Sequence, residues 1–329
     1  MVLDFPMIFS APILAFVITF FSILWLIRKK ASWVLDQPNS RSLHIKPVPR
    51  SGGIGLLLGV VLTWSLFSLT VPTAIWLGIA LLMTISFVDD LKSTSVWSRL
   101  LVQGIVATVF SVNFLSNHLE WPLIVCAAVM IIWMSNLYNF MDGSDGLAGG
   151  MTLIGFGSYG WFSYVDGSIQ FAIINFIVAA AALAFLLHNF HPARIFLGDS
   201  GSVPLGFLAA TFGLIGWAEG IWTIWFPLLV FSPFIMDATV TLIKRLLHGK
   251  QIWQAHREHY YQHLVQSGWG HRNTALLGYI LMIGSSCSAV WAGQQDIIIQ
   301  QGALMIWIGV YLALMFIFDY SRKYHAAQE

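Results

Sequence analysis

Residues 7–27, MIFSAPILAFVITFFSILWLI, form an unbroken apolar run that ends on Arg28, Lys29 and Lys30. About 20 mostly apolar residues suffice for a helix to cross the hydrocarbon core of a bilayer. No basic flank precedes this run and no small-residue cleavage site follows it, so it reads as a retained membrane helix and not a signal peptide. The rest of the chain repeats the pattern. Of its 329 residues, 57% are hydrophobic and 9% are charged, against about 25% charged in a soluble domain. There is too little polar surface to cover such a chain in water. The two cysteines, Cys126 and Cys287, lie in apolar stretches and are expected to behave as small hydrophobes, not as a disulfide.

The same length criterion predicts eleven spans: 7–27, 52–70, 73–88, 99–116, 122–138, 147–165, 170–188, 202–218, 221–243, 273–293 and 297–318. The third is short, and the breaks at Asp166-Gly167 and Glu219-Gly220 are tight; reading through one of them would give ten. The expectation is an all-α, polytopic membrane bundle in which residues 1–329 form a single transmembrane catalytic domain. With eleven spans, all sixteen Lys and Arg fall on one side. The positive side is cytoplasmic, which predicts a periplasmic N-terminus and a cytoplasmic C-terminus. Nine of ten histidines and most carboxylates share that side, and the positive-inside rule does not require them there.

Asp89-Asp90 closes the third span. Two adjacent carboxylates at the end of an apolar helix either face water or hold a cation, a proton or a basic partner. The stretch NLYNFMDGSDGLAGG (136–150) sets Asn136, Asn139, Asp142 and Asp145 around Gly143 and Gly146, just before a helix N-terminus. Glycine lets the backbone approach a ligand closely, and a helix N-terminus favours phosphate. IFLGDSGS (195–202) repeats that chemistry at Asp199, which also reads as a helix cap. Scattered carboxylates suit magnesium, which keeps waters and takes phosphate oxygens, better than zinc, for which no compact paired-ligand spacing exists. WQAHREHYYQH (253–263) offers His256, Arg257 and His259 among aromatics, either as a diphosphate-binding loop or as an amphipathic surface helix. The loop 36–53 adds Lys46 and Arg50, for lipid phosphate or for topology alone. Asp237, late in the ninth span, reads as a partner of Lys244 or Arg245.

In this order the motifs resemble the polyprenyl-phosphate N-acetylhexosamine-1-phosphate transferases, the superfamily that also holds the phospho-N-acetylmuramoyl-pentapeptide transferase. The resemblance rests on D-x-P-x-x-R-x-x-H (36–44) with Gly52-Gly53, Asp89-Asp90, N-x-x-N-x-x-D-G-x-D-G-L (136–147), G-D-x-G-S (198–202), P-x-x-x-D (233–237) and H-R-x-H (256–259). It implies a Mg²⁺-dependent enzyme, with Mn²⁺ as a substitute, at the cytoplasmic face of the bacterial inner membrane. That enzyme would transfer a sugar 1-phosphate from a UDP-N-acetylhexosamine to undecaprenyl phosphate, release UMP and start an O-antigen or other surface polysaccharide. Carried over by position, Asp199 with Asp142 would hold magnesium, and Asp89 and Asp90 would meet the lipid phosphate and metal. Asn139, Asp142 and Asp145 would line the nucleotide-diphosphate pocket, and His259 with Arg257 would meet diphosphate or sugar. Asn136, His256, Lys46, Arg50 and Asp237 fall among the substrate-binding positions. The superfamily also implies a homodimer; nucleic acid is not an expected partner. Relatives that use N-acetylglucosamine often show H-x-H-H where this chain has His259-Tyr260-Tyr261-Gln262. The departure points toward a 6-deoxy sugar such as N-acetylfucosamine or N-acetylquinovosamine, beside N-acetylglucosamine itself and a pentapeptide-transferase-like activity. A secondary transporter is the rival from another class, but the acidic groups cluster at one face and no internal repeat is visible.

Overall fold

A computed structural model describes residues 6–29, 35–36, 47–92, 94–251, 254 and 256–326, with the backbone alone for 35–36 and 323–326. Thirteen α-helices account for almost all of it: α1 (Met7–Arg28), α2 (Gly52–Leu66), α3 (Thr73–Lys92), α4 (Val96–Leu115), α5 (Trp121–Phe140), α6 (Leu147–Asp166), α7 (Ile169–Asn189), α8 (Asp199–Ala218), α9 (Trp225–Val230), α10 (Ser232–Leu247), α11 (Tyr260–Leu264), α12 (Gly270–Ala292) and α13 (Ile297–Ala326). A π-helical turn, Val265–Trp269, joins α11 to α12. Two two-residue strands, β1 (Leu35–Asp36) and β2 (Val48–Pro49), pair antiparallel.

Among the described residues eight helices are long and apolar enough to cross a membrane. The chain is a multi-pass membrane protein. The three other expected spans depart for identifiable reasons. α2 has 15 residues, because the chain turns at Phe67 before the apolar run ends. α6 has full length, but Gly, Ser and Tyr dilute its apolar character. The ninth span breaks after Val230 into α9 and α10, with Pro233, which has no N–H to donate, in the first turn of α10.

α8 is the central helix. In its membrane-length window 83% of the residues are buried, against 6% for α13, which faces outward along almost its whole length. Lipid tails are as apolar as leucine, so helix association in a bilayer depends on close packing, which small residues permit. Gly206 of α8 lies against the Met134 carbonyl and Ser135 of α5, and Gly78 of α3 sits under the Phe207 ring. Beyond α8, an aromatic layer fills the space between α6 and α9. Phe162 and Phe226 have ring centroids 4.6 Å apart, and Tyr159 and Trp222 stand 4.8 Å apart. The C-terminal ends of α3, α5 and α7 and the N-terminal ends of α2, α4, α6 and α8 meet at one end of this bundle.

Candidate active site

Asp89 and Asp90 lie in the last turn of α3, which continues to Lys92. Asp89 Oδ1 accepts hydrogen bonds from the Thr94 N–H (2.6 Å) and the Thr94 hydroxyl (2.7 Å), and Arg99 Nη1 donates to Oδ2 at 2.7 Å. Both oxygens are thus committed to the α3–α4 connection. Asp90 instead points to α8, where the Ser200 N–H donates to its Oδ2 at 3.4 Å.

Opposite α3, the N-termini of α2 and α8 are pressed together. Phe196 N–H donates to the Pro49 carbonyl (2.7 Å), and Gly52 and Gly53 N–H donate to the carbonyls of Phe196 (2.9 Å) and Leu197 (2.8 Å). Gly53 and Gly201 then touch backbone to backbone, so a Cβ on either would overlap the other. Gly198 has φ +74°, and a Cβ there would strike the Arg50 carbonyl. Two positive helix ends therefore face one acidic space. Two guanidiniums complete it: Asp199 lies 3.6 Å from Arg50 Nη2 and 3.4 Å from Arg99 Nη1.

The Gly-rich turn after α5 enters from a third side. Asn139 donates to the Ser202 hydroxyl (3.0 Å), which donates to the Gly198 carbonyl (3.1 Å). The Asp142 carboxylate faces the Gly198 N–H. Burial pushes the Asp142 carboxyl well above the usual carboxylate range; the charges of Asp199 and Asp90 add to the rise, and Arg50 and the Gly198 N–H oppose it. Asp90, Asp142 and Asp199 therefore share one electrostatic field. Their donors are all carboxylate oxygens, the ligand type of a hard divalent cation. Among the described residues no three His, Cys, Asp or Glu side chains stand together as a ready-made metal cage.

The structure divides the rest of the 136–147 motif. Asp145, 6% exposed, turns to a different set of partners: His191 Nδ1 at 2.7 Å, the Ala193 N–H at 3.1 Å and His271 Nδ1 at 3.7 Å. His271 Nδ1 accepts the Asp145 N–H at 3.3 Å and pairs with the Ser144 hydroxyl at 3.0 Å. Asn136, one turn before Asn139, is held by Gln103, its Nδ2 donating to Gln103 Oε1 at 2.7 Å.

The 256–263 segment packs beside this turn. The His259 ring stacks on Phe140 at 5.9 Å and on His256 at 4.8 Å, and the Tyr261 hydroxyl donates to the Phe140 carbonyl at 2.8 Å. Arg257 is exposed. Burial pushes the His256 imidazole down to about 4, helped by the charges of His259 and Arg245. The expected pairing of Asp237 with Lys244 or Arg245 is corrected. Its oxygens accept the N–H groups of Tyr260 (2.9 Å) and Tyr261 (3.0 Å), and His259 Nδ1 lies 3.4 Å away. α10 is turned so that Lys244 pairs with Asp319 and Arg245 with Glu258. Lys46 lies outside the described residues.

Four contributors to the site did not stand out as site residues in the sequence. Arg99 bridges Asp89 and Asp199, but in the sequence it is one more cytoplasmic cation. Gln103, His191 and His271 become partners of the motif only across long stretches of chain, which spacing alone does not signal.

Fold and site together define a multi-pass membrane protein with carboxylates, guanidiniums and helix N-termini gathered at one end of its bundle. The profile of glycosyl transferase family 4 matches residues 72–217. A probable undecaprenyl-phosphate N-acetylglucosaminyl 1-phosphate transferase of Bacillus subtilis is 31% identical over 273 residues, covering 78% of this chain and 76% of its own. An undecaprenyl-phosphate alpha-N-acetylglucosaminyl 1-phosphate transferase of Escherichia coli is 29% identical over 284 residues, covering 77% and 76%. A decaprenyl-phosphate N-acetylglucosaminephosphotransferase of Mycobacterium tuberculosis is 26% identical over 320 residues, covering 82% and 79%. The chain belongs to glycosyl transferase family 4, the polyprenyl-phosphate N-acetylhexosamine-1-phosphate transferases, within the superfamily of the phospho-N-acetylmuramoyl-pentapeptide transferase.

Proposed function

We propose that the chain transfers N-acetylglucosamine 1-phosphate from its UDP-sugar to undecaprenyl phosphate and releases UMP. The product would start a surface polysaccharide at the cytoplasmic face of the bacterial inner membrane. The carrying observation is the meeting of Asp90, Asp142 and Asp199 with Arg50, Arg99 and two helix N-termini at one end of a membrane bundle. Relatives named for undecaprenyl-phosphate substrates support the reaction class.

An oxygen of the lipid phosphate attacks the sugar-bearing phosphorus, and the bond from that phosphorus to UMP breaks. Both partners are anionic, so charge is the main obstacle. The oxygen-only donors and the crowded negative field around Asp142 fit Mg²⁺, or Mn²⁺ in its place, held by Asp199, Asp142 and Asp90. Bound there, the cation would neutralise phosphate charge and align attack and departure. Arg50 and Arg99 are placed to grip diphosphate oxygens. Asp89 acts through Arg99 as a positioning residue, since Thr94 and Arg99 occupy both its oxygens. A strong general base is unnecessary, because the second pKa of a phosphate monoester is about 6. An apolar groove lined by Met130, Trp133, Leu214, Pro227 and Leu228 offers the polyprenyl tail a seat.

The sugar follows the names of the relatives. The H-x-H-H departure falls on Tyr261 and Gln262, and it loses its weight because both are engaged within the protein: the Tyr261 hydroxyl donates to the Phe140 carbonyl and Gln262 Oε1 accepts the His259 N–H. The test is UMP release by the full chain in detergent, with undecaprenyl phosphate and a panel of UDP-sugars. Lipid-dependent release from UDP-N-acetylglucosamine is expected. Release from the 6-deoxy sugars alone would overturn the sugar, and no lipid-dependent release from any donor would overturn the function.

A further inference from the structure

A second polar cavity, of about 180 Å³, lies between α10, α11 and α13, on the other side of the 256–263 segment from the acidic centre. Its walls carry Lys244, Arg245, Lys250 and His263, with Glu258 and Asp319 as the acids. Lys244 is bound to Asp319 and to the Tyr260 hydroxyl. Glu258 is shared between Arg245 Nη1 at 2.5 Å and Lys250 at 3.0 Å. Arg322, one turn beyond Asp319, adds its charge beside His263. Three permanent cations thus line the cavity against two carboxylates.

Arg245 is the informative residue. It is 6% exposed, and its Nη2 donates to the Gln251 carbonyl at 2.9 Å. Its buried Nε has no hydrogen-bond partner among the described residues. A buried guanidinium with an unmet donor, in a cavity that retains excess positive charge, calls for an anionic acceptor. The membrane side of the cavity supplies apolar surface: Phe316 and Leu312 of α13, one and two turns before Asp319 on the same face, are 70% and 47% exposed. Lys and Arg at such a boundary attract anionic lipid head groups.

We propose that this cavity binds the phosphate of a phosphate ester carried by an anionic membrane phospholipid, whose acyl chains lie along the exposed face of α13. The site is separate from the transferase centre and does not depend on it.

The full chain would be reconstituted in nanodiscs of phosphatidylcholine with and without phosphatidylglycerol. Bound lipid would be counted by native mass spectrometry after transfer to detergent, with glycerol 3-phosphate and inorganic phosphate added to lipid-stripped protein as the soluble arms. Wild type is expected to retain one phosphatidylglycerol in preference to phosphatidylcholine. K250Q/R322Q, both at exposed positions, is expected to bind it about tenfold more weakly. R245Q is expected to lose it, and the double variant keeps the test valid if R245Q fails to fold. A thermal shift from glycerol 3-phosphate that the double variant loses, without lipid retention, would assign the cavity to a soluble ester and overturn the lipid source. Equal retention of both lipids, or equal phosphatidylglycerol binding by wild type and the double variant, would overturn the anion site.

Discussion

Asp89 and Asp90 are neighbours of identical chemistry, and the fold gives them different work. Asp89 is tied off by Thr94 and Arg99, whereas Asp90 meets one backbone N–H of α8 and stays within the field of Asp142 and Asp199. D90N and D199N are therefore expected to lower UMP release about 10³-fold or more, the scale of losing a transition-state electrostatic contact. D89N is expected to fall less, and its loss should be matched by R99K, because a lysine cannot bridge two carboxylates as a guanidinium does. Near-normal UMP release from D90N and D199N would remove these residues from the site. The sequence displays the acids plainly, since aspartates beside glycines at the ends of apolar runs stand out from their surroundings. It hides their partners. Arg99 looks like topology, and His271 reaches Ser144 from 127 positions away.

At the scale of the element, the contact between α2 and α8 is the tightest constraint. G53V would drive a branched side chain into the Gly201 backbone. Overpacking a well-filled interior typically costs about 1–3 kcal/mol, and backbone has less room to yield than side chains. The variant is expected to show a lowered melting temperature in detergent together with lost activity; an unchanged melting curve would refute the contact.

The 256–258 segment, by contrast, should respond to acid. The His256 pKa falls from 6.5 unfolded to about 4 folded, so the folded state binds fewer protons between those values. Its contribution is full above about 6.5 and declines as the pH drops toward 4. Partial burial alone would raise the Glu258 carboxyl, but the hydrogen bond from Lys250 and the charge of Arg245 outweigh it and hold the pKa below 4.5. That contribution is present above 4.5 and disappears at still lower pH. Amide exchange around 256–258, corrected for intrinsic rates, should accelerate as the pH is lowered from 6.5 to 4; constant protection would contradict this. Sequence pattern located nearly every helix, because apolar length is a strong signal. It missed the break at Phe231, although Pro233 stands two residues further on; the Phe231 ring packs there against Tyr138 and Tyr159.

For the whole molecule, the proposed cation should be a matter of activity and not of folding, since the bundle is held by packed apolar helices. A chelator is expected to abolish UMP release while leaving helical content unchanged, and Mg²⁺ or Mn²⁺ is expected to restore it. Unaltered turnover after exhaustive chelation would rule the cation out. At this scale membrane class and helical architecture were readable from composition and run length. The interior position of α8 was not, because the length of an apolar run marks a membrane helix whether protein or lipid surrounds it.

That interior position bears on how the protein is made. α8 follows seven other helices in the chain, yet it supplies Asp199, the N–H of Ser200 and the glycine that seats α2. A nascent chain already inserted through α7 holds Arg50, Asp89, Asp90 and Asp142 in the bilayer with the middle of the bundle still to be filled. Only with α8 in place does Asp199 join those groups, so a chain that ends before α8 holds the other acids without the helix that brings them together.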